Sequence, residues 1–145
     1  MDVMSLRRGL MMQMASGSGV QFITGTISPE ETGTITVSFG KTINNYIVLI
    51  EMTNASITTL ENAGITSNKT YTFIGMKDFK QIADAQPTSQ SLAVRYNGSS
   101  ANTAAVSTIT MYDDRFTIPV ADITSSSANV LWSGYTYNYT IIPIA

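Results

Sequence analysis

The chain contains no cysteine and no histidine, and these two absences remove much of the chemistry open to a small protein. Without cysteine there is no disulfide to hold the fold and no thiolate to act as nucleophile or soft metal ligand. Without histidine the commonest general base at neutral pH is missing, and a Ser-His-Asp arrangement is impossible. We therefore expect no catalytic site, no metal centre and no cofactor, and we interpret the protein as a non-enzyme.

Charge is also scarce, at 12% of the residues, with a formal net charge of −2. An average soluble domain has about 25% charged residues. Nucleic acids require clustered Lys or Arg, whereas the eight basic residues are scattered along this chain. No segment approaches the ~20 apolar residues of a membrane span. Ser, Thr and Asn replace the missing charge, which suits strands in solvent or faces buried against identical copies.

The remaining carboxylates include one adjacent aspartate pair, Asp113-Asp114. Two interpretations stay open for it: a solvated turn in which Arg115 pairs with an aspartate, and a Ca²⁺ site. Adjacent side chains at the end of a strand point in opposite directions, which favours the turn.

The first 19 residues predict a short helical arm and a linker. Ser5 can cap a helix that starts at Leu6. The candidate assembly anchor is one apolar stripe on this helix, formed by Leu6, Leu10 and Met14, with Met11 beside it. A helix of about ten residues is marginal alone, so it needs a surface on which to dock. Ser16-Gly17-Ser18-Gly19 has the composition of a flexible tether. The apolar run is too short for a signal peptide, so we expect cytoplasmic synthesis without export.

Residues 20–145 predict one all-β domain. Strands are expected over 20–27, 34–39, 46–52, 70–76, 91–96, 103–112, 116–120 and 135–144, with one helical turn over 77–85 that Pro87 stops. The continuously apolar 46–52 predicts a central strand covered on both faces. Asn97-Gly98 predicts a hairpin turn. About eight strands with short turns indicate an antiparallel β-sandwich, of jelly-roll or lectin-like type, behind the N-terminal arm.

The last strand carries an aromatic pattern. Tyr135, Tyr137 and Tyr139 share one face by alternation, and Trp132 lies just before them. One interpretation is a sugar-binding face, in which rings stack on C–H surface while neighbouring polar groups hold hydroxyls. The other is that these side chains line the core or a subunit interface, where Tyr supplies an apolar body and a polar tip.

Two stretches carry a family resemblance. Residues 5–15, SLRRGLMMQMA, resemble the start of many small tail-associated proteins encoded in phages and prophages of Gram-positive gut bacteria, in which a β-domain follows directly. Residues 116–119 and 132–142 are similar to the last strands of phage tail-fibre and H-type-lectin-like β-sandwiches, which often finish with a Gly-Tyr-x-Tyr/Phe-x-Trp/Tyr strand, here Gly134 to Tyr139.

The resemblance implies a virion structural protein: a tail-fibre, baseplate or surface-appendage subunit, located in the virion. We expect its β-domain to assemble with copies of itself, as a trimer, and its arm to anchor it to neighbouring virion protein. Two alternatives stay open. One is a receptor-binding module for host cell-wall saccharide, and the other is a capsid decoration or head-fibre protein. No nucleic-acid or membrane partner is expected.

Overall fold

The computed structural model describes residues 21–64, 69–80, 87–97, 100–106, 108–123 and 130–144. Ten strands and one helix follow one another in this part of the chain: β1 Ile23–Ile27, β2 Gly33–Ser38, β3 Tyr46–Met52, α1 Asn54–Asn62, β4 Lys69–Lys80, β5 Pro87–Asn97, β6 Ser100–Val106, β7 Thr110–Met111, β8 Arg115–Ala121, β9 Leu131–Trp132 and β10 Tyr137–Pro143. The predicted helical arm, with its anchor residues Leu6, Leu10, Met11 and Met14, lies outside the described residues.

The strands form two sheets, as the sequence predicted for an all-β protein. The six-stranded sheet has the order β1-β10-β3-β4-β5-β6, and the second sheet has the order β2-β8-β7, with β9 beside β8. All pairings are antiparallel except β8 with β9. The chain passes between the sheets after β1, β2, β6 and β9, so each sheet contains strands that are distant in sequence.

Aromatic side chains join the two sheets across the core. Tyr139 of the six-stranded sheet meets Phe116 of the second sheet edge to face, with ring centroids 6.1 Å apart. Phe39, just after β2, meets Tyr46 of β3 in the same way at 5.0 Å. At Gly75 the approach is so close that an added Cβ would lie 2.7 Å from the sulfur of Met111. The interior between the sheets is therefore a close-packed core.

Strands β2 and β3 show how far alternation predicts burial. In β2 and the residue after it, Val37 and Phe39 are buried, whereas Thr36 is exposed, as predicted. In β3 the inward residues include Val48 and Ile50, both fully buried. The opposite face of β3 carries half-buried side chains at Ile47 and Leu49. β3 is therefore fully covered on one face, whereas its other face is covered in part, with Glu51 buried and Ile47 and Leu49 half-buried.

Three sequence-based assignments need correction. The helical turn predicted from residue 77 is wrong, because Lys77–Lys80 continues β4 and pairs with β5 up to Pro87. The single strand predicted over 103–112 is two strands: β6 belongs to the six-stranded sheet and β7 to the second sheet. Helix α1 was not predicted. Thr53 caps it, with its hydroxyl oxygen accepting a hydrogen bond from the backbone N–H of Ser56 at 3.2 Å.

The predicted hairpin at Asn97-Gly98 is confirmed by strand pairing. β5 and β6 run antiparallel, with Asn97 opposite Ser100, so two residues connect them. The Asn-Gly pair therefore correctly predicted a hairpin at this position, although Asn97 is the last paired residue of β5 and not part of the two-residue connection.

Candidate functional site

Trp132 and Tyr137 belong to the core. Tyr137 is fully buried, and Trp132 is 5% exposed. The Tyr137 hydroxyl oxygen accepts a hydrogen bond from the backbone N–H of Trp132 at 3.0 Å, and the Tyr137 ring meets Phe73 at 6.4 Å. Burial raises the pKa of Tyr137, although the hydrogen bond from Trp132 works in the other direction. The interpretation of these two side chains as ligand-contacting residues does not agree with this burial, whereas the core interpretation does.

Tyr135 and Tyr139 are half-buried and pack against the core from its edge. Tyr139 lies under β1: a Cβ added at Gly25 would collide with the Tyr139 phenol. Gly25 is the register partner of Tyr139, so the glycine makes the room that this ring occupies. The four predicted residues therefore do not form one open aromatic face, and Tyr139 lines a surface groove.

This groove, about 400 Å³ in volume, lies between the edge strands of the two sheets, β1 and β2. Its lining combines hydroxyl groups with apolar side chains and one phenol, and includes Thr26, Ser28, Ile35, Thr36, Val37 and Tyr139. Among the described residues, no charged side chain lines it. Such a groove suits a neutral ligand that presents both C–H surface and hydroxyl groups. The sequence pattern pointed to Tyr139 but not to the hydroxyl side chains of β2, which reach the groove because the two sheets pack together.

The ammonium group of a buried lysine lies beside Asp113-Asp114, the pair for which the sequence left a Ca²⁺ site open. The side chain of Lys77 is 7% exposed, and its ammonium contacts Asp78 and lies 2.6 Å from Asp113 Oδ1. It also donates a hydrogen bond to the Asn44 carbonyl at 3.0 Å. Burial works to lower the Lys77 pKa, but hydrogen bonds and charge from Asp113 and Asp78 outweigh it and raise that pKa. The Lys77 ammonium thus supplies the positive charge that a calcium ion would have supplied.

The turn interpretation of the aspartate pair is confirmed. The chain reverses between β7 and β8, with the Tyr112 N–H donating to the Arg115 carbonyl at 2.8 Å. Arg115 pairs with Asp114 at 2.7 Å, and its guanidinium lies 4.0 Å from the centroid of the Tyr112 ring. The Tyr46 hydroxyl donates to the Tyr112 and Arg115 carbonyls at 2.8 and 3.2 Å. Burial, and next the charge of Asp113, raise the Tyr46 pKa. These contacts hold the hairpin against β3 and β4.

The outer face of the six-stranded sheet is the second candidate surface. We define the outer face by the half-buried apolar side chains that point away from the core on its three central strands: Ile47, Leu49, Ile74, Met76 and Ile142. Glu51 is the only charged residue among the described side chains on this face, and it is 4% exposed. An antiparallel sheet with one face in water normally alternates apolar and polar residues. Here five apolar side chains lie together on the outer face, beside the polar Thr72, Asn138 and Thr140, which is more apolar surface than simple alternation gives.

No family model, no curated protein and no solved structure matches this chain.

The described residues contain no group of three or more His, Cys, Asp or Glu side chains that could hold a metal ion. Within the same residues, no helix has the length and apolar character needed to cross a membrane.

Proposed function

We propose that this protein is a structural subunit of a bacteriophage virion, which assembles with copies of itself through its β-domain and is anchored by its N-terminal arm. The observation that carries the assembly part is the apolar outer face. Leu49 and Ile74 are register partners near the centre of the sheet, and both are only partly buried in the single chain. Contiguous apolar patches on a protein surface mark contact sites for other molecules.

The virion part of the proposal is supported by the resemblance of residues 5–15 to the start of phage tail-associated proteins. It is also supported by the low charge, since a surface of Ser, Thr and Asn can be buried against neighbouring subunits without burying unpaired charged groups. We extend the proposal to the type of sandwich. The four passages of the chain between the two sheets are compatible with a jelly-roll or lectin-like arrangement.

Two measurements test the proposal separately. Analytical ultracentrifugation of the full-length chain over a wide concentration range should give a trimer or a larger closed assembly. A chain that stays monomeric throughout contradicts self-assembly. Immuno-electron microscopy, with an antibody against the folded chain, should label phage particles released by the bacterium that encodes it. Particles that contain no such antigen contradict the virion assignment.

A second candidate function, binding of host cell-wall saccharide, is favoured by the groove between β1 and β2. Its hydroxyl groups and the Tyr139 phenol offer hydrogen bonds to sugar hydroxyls, while Ile35 and Val37 offer apolar surface. Thr36→Arg should fill this groove and abolish binding to cell-wall fragments. Thr34→Arg on the same strand is the matched control, because Thr34 is exposed and lies outside the groove. Absence of saccharide binding by the unmodified protein removes this candidate.

A further inference from the structure

Strand β1 ends the six-stranded sheet, and it pairs on one side only, with β10, among the described residues. In an antiparallel strand every second residue turns its backbone N–H and C=O toward the same neighbour, so the remaining groups of β1 point away from β10. Within the described part of the chain, the backbone hydrogen bonds of residues 23–27 go to β10. The groove between β1 and β2 opens beside the second half of β1. The β1 edge, meaning the side of β1 away from β10, can therefore accept another strand.

The β1 edge lacks the features that keep edge strands apart. Proteins protect such edges with charged side chains, proline, bulges or very short strands. β1 is Ile-Thr-Gly-Thr-Ile, five residues in unbroken register with β10, and the side chains of Thr24 and Thr26 are exposed. By contrast β7, which ends the second sheet on the side opposite β2, has two residues and is followed closely by Asp113 and Asp114. The β1 edge is thus unprotected where the β7 edge is protected.

The sequence of β1 reads the same in both directions about Gly25. If two copies of β1 pair antiparallel with their Gly25 residues opposite each other, Ile23 of each copy lies opposite Ile27 of the other. Thr24 of each copy then lies opposite Thr26. Apolar residues meet on the core side and threonines on the other side, and both kinds of cross-strand pair stabilise a sheet. β6, at the other end of the same sheet, has the sequence SANTAAV and no such symmetry. The strand that matches every residue of β1 is therefore a second β1.

Gly25 suits the centre of this pair. A Cβ added at Gly25 would collide with the Tyr139 phenol, so this ring already fills the core side of Gly25. Opposite Cβ atoms of paired strands are about 5 Å apart, so a larger residue opposite Gly25 would meet the end of the same phenol. A second glycine adds no side chain there. The register with Gly25 opposite Gly25 therefore leaves the Tyr139 ring of each copy in place.

We propose that two copies of this chain pair their β1 strands antiparallel about Gly25, which joins two six-stranded sheets into one continuous sheet across a two-fold axis. This inference rests on the proposed function, because it names a further contact between the copies that assemble. Two paired strands of five residues are about 17 Å long, a small contact beside the ~1,200 Å² or more of stable interfaces. The pairing therefore acts together with the outer face and does not hold two copies by itself. A two-fold contact added to a three-fold assembly gives six copies.

The absence of cysteine allows a direct test of the register. Thr24→Cys labelled with ¹⁵N and unlabelled Thr26→Cys are mixed as dilute, reduced, full-length chains, then concentrated and oxidised in a glutathione buffer. Opposite residues have Cα atoms about 5 Å apart, within the range of a disulfide, whereas diagonal neighbours lie beyond it. Intact-mass spectrometry should therefore find the mixed dimer in large excess over both single-variant dimers. Thr24→Cys mixed with Thr58→Cys is the control and should give little mixed dimer, because Thr58 lies on helix α1.

The outcomes separate this inference from the function on which it rests. If the wild-type protein assembles but the three dimers form in the proportions of random encounters, the pairing of β1 with itself is wrong and the proposed assembly stands. An assembly with an odd number of copies would also contradict the two-fold contact. If the wild-type protein stays monomeric at every concentration and no excess of mixed dimer forms, both proposals are wrong.

A charge on the β1 edge gives a second test. Thr24→Lys brings two ammonium groups into one small contact, so the variant should sediment more slowly than the wild-type assembly. Thr58→Lys is the control of equal charge at an exposed position of helix α1, and it should sediment with the wild type. The fluorescence of Trp132 shows whether both variants are folded. A folded Thr24→Lys protein that assembles as the wild type does would overturn the proposal.

Discussion

Single residues in this fold take roles that their type alone does not reveal. Tyr137 and Tyr139 stand two positions apart on the same inward side of β10, yet one is fully buried and the other lines a groove. The difference comes from their neighbours. Tyr137 lies toward Phe73 in the middle of the core, whereas Tyr139 lies beside Gly25 of an edge strand. Alternation correctly predicted that both side chains point to the same face of β10, but the exposure of each depends on its neighbours on adjacent strands.

The buried hydrogen bond of Tyr137 is testable. Tyr137→Phe removes the acceptor used by the Trp132 N–H while it keeps the ring in place, and it should lower the free energy of unfolding by about 1–2 kcal/mol. Tyr139→Phe is the matched control, because the Tyr139 phenol borders an open groove and its loss should cost much less. Urea unfolding followed by the fluorescence of Trp132, the single tryptophan, measures both. Equal effects of the two substitutions would show that the Tyr137 hydroxyl contributes nothing specific.

At the scale of elements, short polar segments were the hardest to predict. Helix α1 contains one Ser, two Thr, one Ile and two Asn, all residues of modest helix propensity. The sequence pattern therefore did not predict a helix here. The signals that could have found it are the capping Thr53, the spacing of Ile57 and Leu60, and Gly64, which follows the helix with a φ of 79°. The burial of Leu60 in the core, and not local propensity, stabilises this helix.

The cap of this helix gives a prediction. Thr53→Ala removes the hydroxyl that accepts from the Ser56 N–H, and it should destabilise the protein by about 1 kcal/mol. Thr58→Ala serves as the control, because Thr58 is exposed in the helix interior, where alanine is favoured. Thermal unfolding of the two variants should move in opposite directions. A Thr53→Ala protein as stable as the wild type would contradict the capping role.

The strands were more predictable than the connections between them. Strict alternation identified β2, the Asn-Gly pair identified the β5–β6 hairpin, and a long apolar run identified β3. The passage of the chain from β6 to β7 was missed, because Val, Ile and Thr continue through it without a break in composition. The inward-facing Lys77 was missed because its partner Asp113 is distant in sequence. Long-range pairings of this kind leave no local pattern.

At the scale of the whole molecule, three buried titratable groups predict that the folded state loses stability at alkaline pH. The pKa of Tyr46 and of Tyr137 is raised chiefly by burial, and the pKa of Lys77 is raised because Asp113 and Asp78 together outweigh its burial. A raised pKa means that the folded state favours the protonated form. The stability that follows is complete below the ordinary values of about 10 and is lost as the pH rises past them.

We therefore expect the free energy of unfolding to stay level from neutral pH to about pH 10 and to fall above it. Urea titrations at a series of alkaline pH values measure this dependence. Lys77→Met should weaken it and lower stability at neutral pH by about 1–2 kcal/mol, since both aspartates stay partly solvated. Lys41→Met at an exposed position should change neither quantity. A fold that keeps its full stability well above pH 10 would refute this assignment.

The proposed assembly of the whole molecule depends on the outer face being a contact surface between copies. Sedimentation velocity on Leu49→Lys tests it most directly, with Thr34→Lys as a control of equal charge on the second sheet and Trp132 fluorescence as the check that both variants are folded. We predict that Leu49→Lys sediments as a folded monomer while Thr34→Lys sediments with the wild-type assembly. A folded Leu49→Lys protein that assembles as wild type does would contradict it.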